Sequence, residues 1–118
     1  MAKDAQFDGF EWPDFTMTPN AVYRELLREL SPGAFKVLAA IVHSVMYSHR
    51  EEGFAPISQT ELVERTGLHV NTVRKGLREC IDIGAVIIIE PHHARDAMAT
   101  LYSLNFKPGH SPFSDDQQ

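Results

Sequence analysis

Cysteine is almost missing from this chain. Cys80 stands alone among 118 residues, so no internal disulfide can brace the fold, and burial is the expected fate of that thiol. Long apolar runs are missing too. Nothing approaches the roughly 18 residues that a membrane helix needs, so no span is predicted. The amino terminus carries Asp4 and Asp8 where a secretory leader would be basic and then apolar, and a cytoplasmic setting is the default expectation. Enzyme signatures are lacking: there is no Gly-rich phosphate loop, no Gly-x-Ser-x-Gly elbow, and no carboxylate pair in a recognisable pocket. His43 and His49 would fall on different faces of a helix. Neither catalysis nor a cofactor is expected. A surplus of positive charge is the last absence, for the formal net charge is −5.

What is present supports one compact domain with a modest core, since 43% of the residues are hydrophobic and 23% charged. The negative charge is unevenly spread. Residues 1 to 14 hold four acids against one base, and Asp115 and Asp116 add two charges at the other end, leaving ten acids and ten bases between residues 15 and 114. Three parts follow: an acidic aromatic arm (1–14), a domain (15–106) and a polar tail (107–118). Phe7, Phe10, Trp12 and Phe15 put much aromatic surface at the arm. Packing of the arm over the domain is the favoured expectation, and docking of an acidic-aromatic peptide on a partner is the other.

Helix signals are frequent along the domain. Thr18 and Pro19 are placed to open a helix as cap and first-turn residue, running to about Glu29 with Val22, Leu26 and Leu27 inward. Ser31 and Pro32 open the next in the same way, to about His49, and Phe35, Leu38, Val42, Val45 and Met46 recur on it at spacings of three and four. This is the expected central helix. Glu51 to Phe54 lead as a loop into Ser58, whose Glu61 partner makes a capping box for a helix over residues 59–66. Gly67 then suits a left-handed turn, and Leu68 is placed to drop between helices. A further helix is predicted from Val70 or Asn71 to Ile83, stopping at Gly84. Residues 85–90 are rich in β-branched side chains and read as a strand, 99–106 read as its antiparallel partner, and 91–98 form the tip between them. The fold class is therefore α+β, mainly α with a small β-hairpin.

The last helix carries the chemistry. Val70, Val73, Leu77, Cys80 and Ile81 fall on one side of it, while Asn71, Arg74, Lys75 and Arg78 gather on another. Arg74, Lys75 and Arg78 suit phosphate neutralisation, with one arginine able to pair bidentately with guanine, and Asn71 with Thr72 could hydrogen-bond base edges. Such a face can also be an ordinary solvated one. Arg95, at the hairpin tip, is either a solvated loop charge or a contact to backbone or minor groove. His92 and His93 beside it point to opposite faces of an extended segment, with no second cysteine or nearby His-x-x-x-His, so no metal site is expected.

The stretches Glu61 to Leu68, Asn71 to Leu77 and Ile83 to Ile87 resemble the winged helix-turn-helix of bacterial and phage DNA-binding proteins, including the MarR and GntR regulators. Upstream, Phe15-Thr16-Met17-Thr18-Pro19-Asn20, Leu30-Ser31 and Lys36-Val37-Leu38 resemble the amino-terminal domain of phage replication protein O. The resemblance covers about residues 15 to 106. It implies a double-stranded DNA reader whose second helix enters the major groove. In a replication role it would mark an origin, with helicase-loading proteins as partners; in a transcription role it would bind a promoter, usually as a homodimer. A third possibility is an assembly module that binds protein alone. Two positions depart from the pattern. His69 stands where Ser or Thr usually caps the recognition helix, which leaves Asn71 as cap or as base reader. Gly76 replaces a small residue, commonly Ala, and costs roughly 1 kcal/mol of helix propensity.

Overall fold

The computed structural model describes residues 6–89 and 99–113. In order along the chain come a π-helical turn Val22–Leu26 running into α1 (Leu27–Glu29), α2 (Pro32–His43) continued by a second π-helical turn Ser44–Ser48, β1 (Ala55–Ser58), α3 (Gln59–Thr66), α4 (Val70–Asp82), β2 (Val86–Ile88) and β3 (Ala99–Leu104). The class is α+β: among the described residues, four helices and a small antiparallel sheet in the order β1-β3-β2.

Local signals account for most helix ends. Ser31 Oγ accepts from Ala34 N with Pro32 in the first turn, and Ser58 Oγ accepts from Glu61 N at 3.0 Å. Each satisfies an amide that the helix itself leaves unpaired. Gly67 adopts a φ of 74°, and its N–H donates to Val63 O, closing α3. Lys36 Nζ donates to Thr66 O at 3.3 Å, placing a cation at the negative end of that helix.

The opening helix begins later than expected. Thr18 Oγ1 donates to Thr16 O and caps nothing; the helix instead starts beyond Ala21, which offers no side-chain cap. Leu27 is also corrected, being 54% exposed, while Val22 and Leu30 are buried. The π-helical turn explains the slip: its wider turn, with Leu27 N donating to Val22 O, takes more residues per turn and shifts the inward stripe.

The strand at residues 55–58 has no counterpart among the sequence expectations. Ala55 and Ile57 are buried and Pro56 and Ser58 more exposed, and the segment pairs with β3 from Ala55↔Tyr102 to Ser58↔Ala99. Pro56 argues against a central strand, and β1 lies at the edge of the sheet. On the other side β2 pairs with β3 from Val86↔Leu104 to Ile88↔Tyr102, and Ile89 N donates to Leu101 O beyond it. The tip of this pair lies outside the described residues.

Val37, Leu38, Ile41 and Val45 of the central helix are buried against Leu62, Val73, Cys80 and Val86, so that helix is the hub of the core. Phe35 and Met46 are only partly buried at its margins. α2 and α4 approach each other closely. A Cβ built on Gly76 would lie 3.0 Å from Ala34 Cα and 3.2 Å from Gly33 O. At Gly76 the missing side chain lets two backbones meet.

Cys80 lies in that contact, fully buried, its Sγ donating to Ala34 O at 3.4 Å. Burial, and then the charge of Glu79, push the thiol from its ordinary 9.0 up to about 12. Two results are expected. Native protein at pH 8 should leave Cys80 unlabelled by a thiol reagent that modifies it promptly in denaturant. As an unfolded thiol ionises from about pH 9 while the folded one stays protonated to about 12, stability should fall as pH rises through that window. Denaturant titrations at pH 8 and pH 10.5, compared with Cys80→Ala, measure this share and separate it from that of Tyr102, which burial also raises.

The described part of the arm, residues 6–14, is exposed and not packed over the domain. Phe10 is 94% and Trp12 86% exposed, and Phe7 is exposed too. The rings meet one another instead, Phe7 edge-on to Phe10 at 4.9 Å and Trp12 against Phe15 at 5.4 Å. Phe15, just past the arm, borders a pocket with Met46, Tyr47, Arg50 and Phe113. At the other end Phe113 packs edge-on against Phe106 and at the margin of the core, which anchors the described part of the tail.

Candidate nucleic-acid interface

α4 is amphipathic because its apolar residues recur with the helix repeat: Val73, Leu77 and Cys80 are buried, and Val70 and Ile81 are partly so. Its other side is left to solvent. Asn71, Lys75, Arg78 and Asp82 succeed one another at helical spacing along that side, all exposed, with Arg74 on the flank toward α3 and Thr72 on the flank toward α2. All five α4 residues expected to touch DNA are thus on one accessible surface. Arg95 lies outside the described residues, as do His92 and His93; among the described residues no cluster of His, Cys, Asp or Glu could hold a metal ion.

The helix start resolves the question at His69. Its Nδ1 accepts from Asn71 N at 3.1 Å, so the imidazole performs the capping role that Ser or Thr would. The Asn71 side chain is released from that duty. Thr72 is less free, its methyl lying 2.9 Å from where a Cβ on Gly33 would be.

The acid among the cations is drawn away. Glu79 Oε2 and Oε1 accept from Ser31 N and Ser31 Oγ, both at 2.8 Å, which seats its charge at the positive end of α2. Lys75 and Arg78 have no ion-pair or hydrogen-bond partner among the described residues. Asp82 ends the row as its one exposed acid.

Arg74 is held. Its Nε donates to Gln59 Oε1 at 3.1 Å and its Nη1 to Asn71 Oδ1 at 3.5 Å. With Gln59, Val70, Thr100 and Tyr102 it borders an open groove of about 710 Å³ between α3, α4 and the start of β3. Other cations serve the fold. Arg65 donates from Nη1 to Ser44 Oγ at 2.6 Å, lies 3.7 Å from Glu61, and meets His43 Nδ1 through Nη2 at 3.1 Å. His43 also stacks on Tyr47 at 5.1 Å.

Sequence reasoning missed two residues of this surface, Gln59 and Glu79. Gln59 is the first residue of α3, and its outward position carried a faint signal, since a helix start beside the cationic helix faces the same side. Glu79 carried none, because Ser31 lies 48 positions away. α4 is the longest α-helix in the described fold, and on its exposed side Lys75 and Arg78 are unpaired among the described residues while Arg74 is held. No family model, no curated protein and no solved structure matches the chain.

Proposed function

We propose that this chain is a winged-helix protein that binds double-stranded DNA through α4, and that it acts as an origin-binding replication initiator domain of phage or plasmid type. The observation that carries the reading is the exposed row Asn71, Lys75 and Arg78 with Arg74 beside it, on a helix whose acid Glu79 is turned aside to Ser31. A helix is about 10–12 Å across with its side chains, which matches a major groove about 12 Å wide. Lys75 and Arg78 hold phosphates, Asn71 and Thr72 lie against base edges, and Arg74 reaches either. Arg95, in the wing of this reading, contacts backbone or minor groove. No reaction is catalysed and no cofactor is required.

The choice of replication rests on the resemblance of residues 15–20, 30–31 and 36–38 to the replication protein O domain. Helicase-loading proteins are the partners it implies. The transcription reading uses the same helix on a promoter, as a homodimer. A footprint with iterated sites supports the first, and a single palindrome supports the second. A third reading, protein assembly without DNA, is favoured by one observation, the exposure of Phe10 and Trp12.

Titration of a random-sequence duplex at rising salt tests the DNA reading. With three or four phosphate contacts the plot of log K against log salt should have a slope of about −3 to −4. Absence of binding at low salt rejects the reading and leaves the assembly module.

A further inference from the structure

Arg74 differs from the other cations of α4 in being braced from two sides. Gln59 Oε1 takes its Nε–H at 3.1 Å and Asn71 Oδ1 receives the longer contact from Nη1 at 3.5 Å, while Lys75 and Arg78 have no partner among the described residues. Ordering an exposed arginine costs rotamer entropy, and one amide acceptor in water returns little of it. The brace therefore matters for where the guanidinium points. The backbone of Gln59 is fixed, because it follows Ser58, whose hydroxyl caps α3 through Glu61 N.

From this we infer that Arg74 is a guanine reader and that Gln59 is the positioning residue that aims it, an inference that rests on the DNA-binding reading above. A guanidinium has five N–H groups and no acceptor. With two engaged, three remain, both of those on Nη2 among them, which suffices for a bidentate pair with O6 and N7 of guanine. Adenine and cytosine present an amino donor in the major groove, and Arg74 has nothing to receive it. Asn71 is the second brace. Adenine recognition by an asparagine needs its acceptor as well as its amide donors, and Asn71 Oδ1 is turned to Arg74. The unbraced Lys75 and Arg78 follow phosphates, where position matters less than charge.

The test is selection from a duplex pool with randomised positions, using the wild type, Gln59→Ala, Gln59→Glu and Arg74→Lys, with salt slopes and thermal melting measured on each. The wild type should enrich guanine at one position about tenfold or more over other bases. Arg74→Lys should lose that preference and keep its salt slope, since the charge remains. Gln59→Ala should lower the preference about three- to tenfold with slope and melting unchanged, and Gln59→Glu, which keeps an acceptor for Nε, should retain it while binding all duplexes more weakly. Guanine selection by Gln59→Ala equal to that of the wild type overturns the inference, as does an adenine preference that Asn71→Ala abolishes. In both cases the wild type binds duplex and the wider reading stands. A wild type that binds no duplex overturns both.

Discussion

Removing the three cations of α4 together, Arg74→Ala, Lys75→Ala and Arg78→Ala, is expected to weaken duplex binding at least a hundredfold. At about 1 kcal/mol for each phosphate or base contact, three contacts amount to about 3 kcal/mol, and each 1.4 kcal/mol is tenfold. The salt dependence should fall in parallel, by about 0.9 in slope for every phosphate released from a cation, or up to about 2.7 for all three. Stability should barely move, because Lys75 and Arg78 are exposed and unpaired among the described residues and Arg74 gives up only exposed hydrogen bonds. Binding isotherms at two salt concentrations, with melting curves on the same samples, check this. Unchanged affinity and slope would mean that duplex binding, if any, does not use α4. The reverse change, Asp82→Asn, takes away the exposed acid at the end of the row and should tighten binding by a few-fold at low salt, fading as the Debye length shortens.

Placing any side chain at Gly76 is expected to destabilise the fold, although helix propensity taken alone favours it. Alanine in a helix interior gains roughly 1 kcal/mol over glycine. Here its Cβ would meet Ala34 Cα at 3.0 Å, Ala34 N at 3.2 Å and Gly33 O at 3.2 Å, all backbone atoms of a helix seated in the core. No rotamer can relieve that contact; α2 and α4 must separate, and overpacking of this kind costs typically about 1–3 kcal/mol. Gly76→Ala should therefore come out destabilised by about 1 kcal/mol, roughly 4 °C in melting temperature, and Gly76→Val by about 3 kcal/mol or more. The disturbance should also reach Cys80, whose thiol donates to Ala34 O, and make it open to labelling in the folded protein. If Gly76→Ala raises the melting temperature, the backbones of the two helices are not in contact.

How much of the fold is legible in the sequence follows from how far apart the interacting residues lie. The caps at Ser31 and Ser58, the left-handed Gly67 and the two-faced character of α4 are all open to sequence reasoning, and each is found. All of them depend on neighbours within about one turn, where spacing dictates geometry. Thr18 fails as a cap because its hydroxyl turns back to Thr16 O and the helix begins only beyond Ala21, and Leu27 fails as a core residue because a π-helical turn changes the residue count per turn without a local signature. The segment at residues 55–58 escapes sequence reasoning because Pro56 and its short length conceal a strand that exists only by pairing with β3. The aromatic content of the arm predicts packing, yet composition does not say whether a surface exists to receive it.

Of the candidate site, the cations are legible and their arrangement is not. Asn71, Arg74, Lys75 and Arg78 follow from the period of the helix. That Glu79 leaves the row for Ser31, that His69 caps in place of Asn71, and that Gln59 braces Arg74 are contacts between elements or choices among side chains that the period leaves equal.

The amino-acid sequence by itself determined where helices start and stop between Ser58 and Gly84 and which of their faces carries charge, since both arise from hydrogen bonds and side-chain spacing within a few residues. Only the tertiary structure decided that glycine is required at position 76, that the sheet has a third strand, and that one arginine is aimed while its neighbours are left loose. Those outcomes depend on which distant segments are brought together. The chain's local preferences are indifferent to that, and the packing of the core settles it.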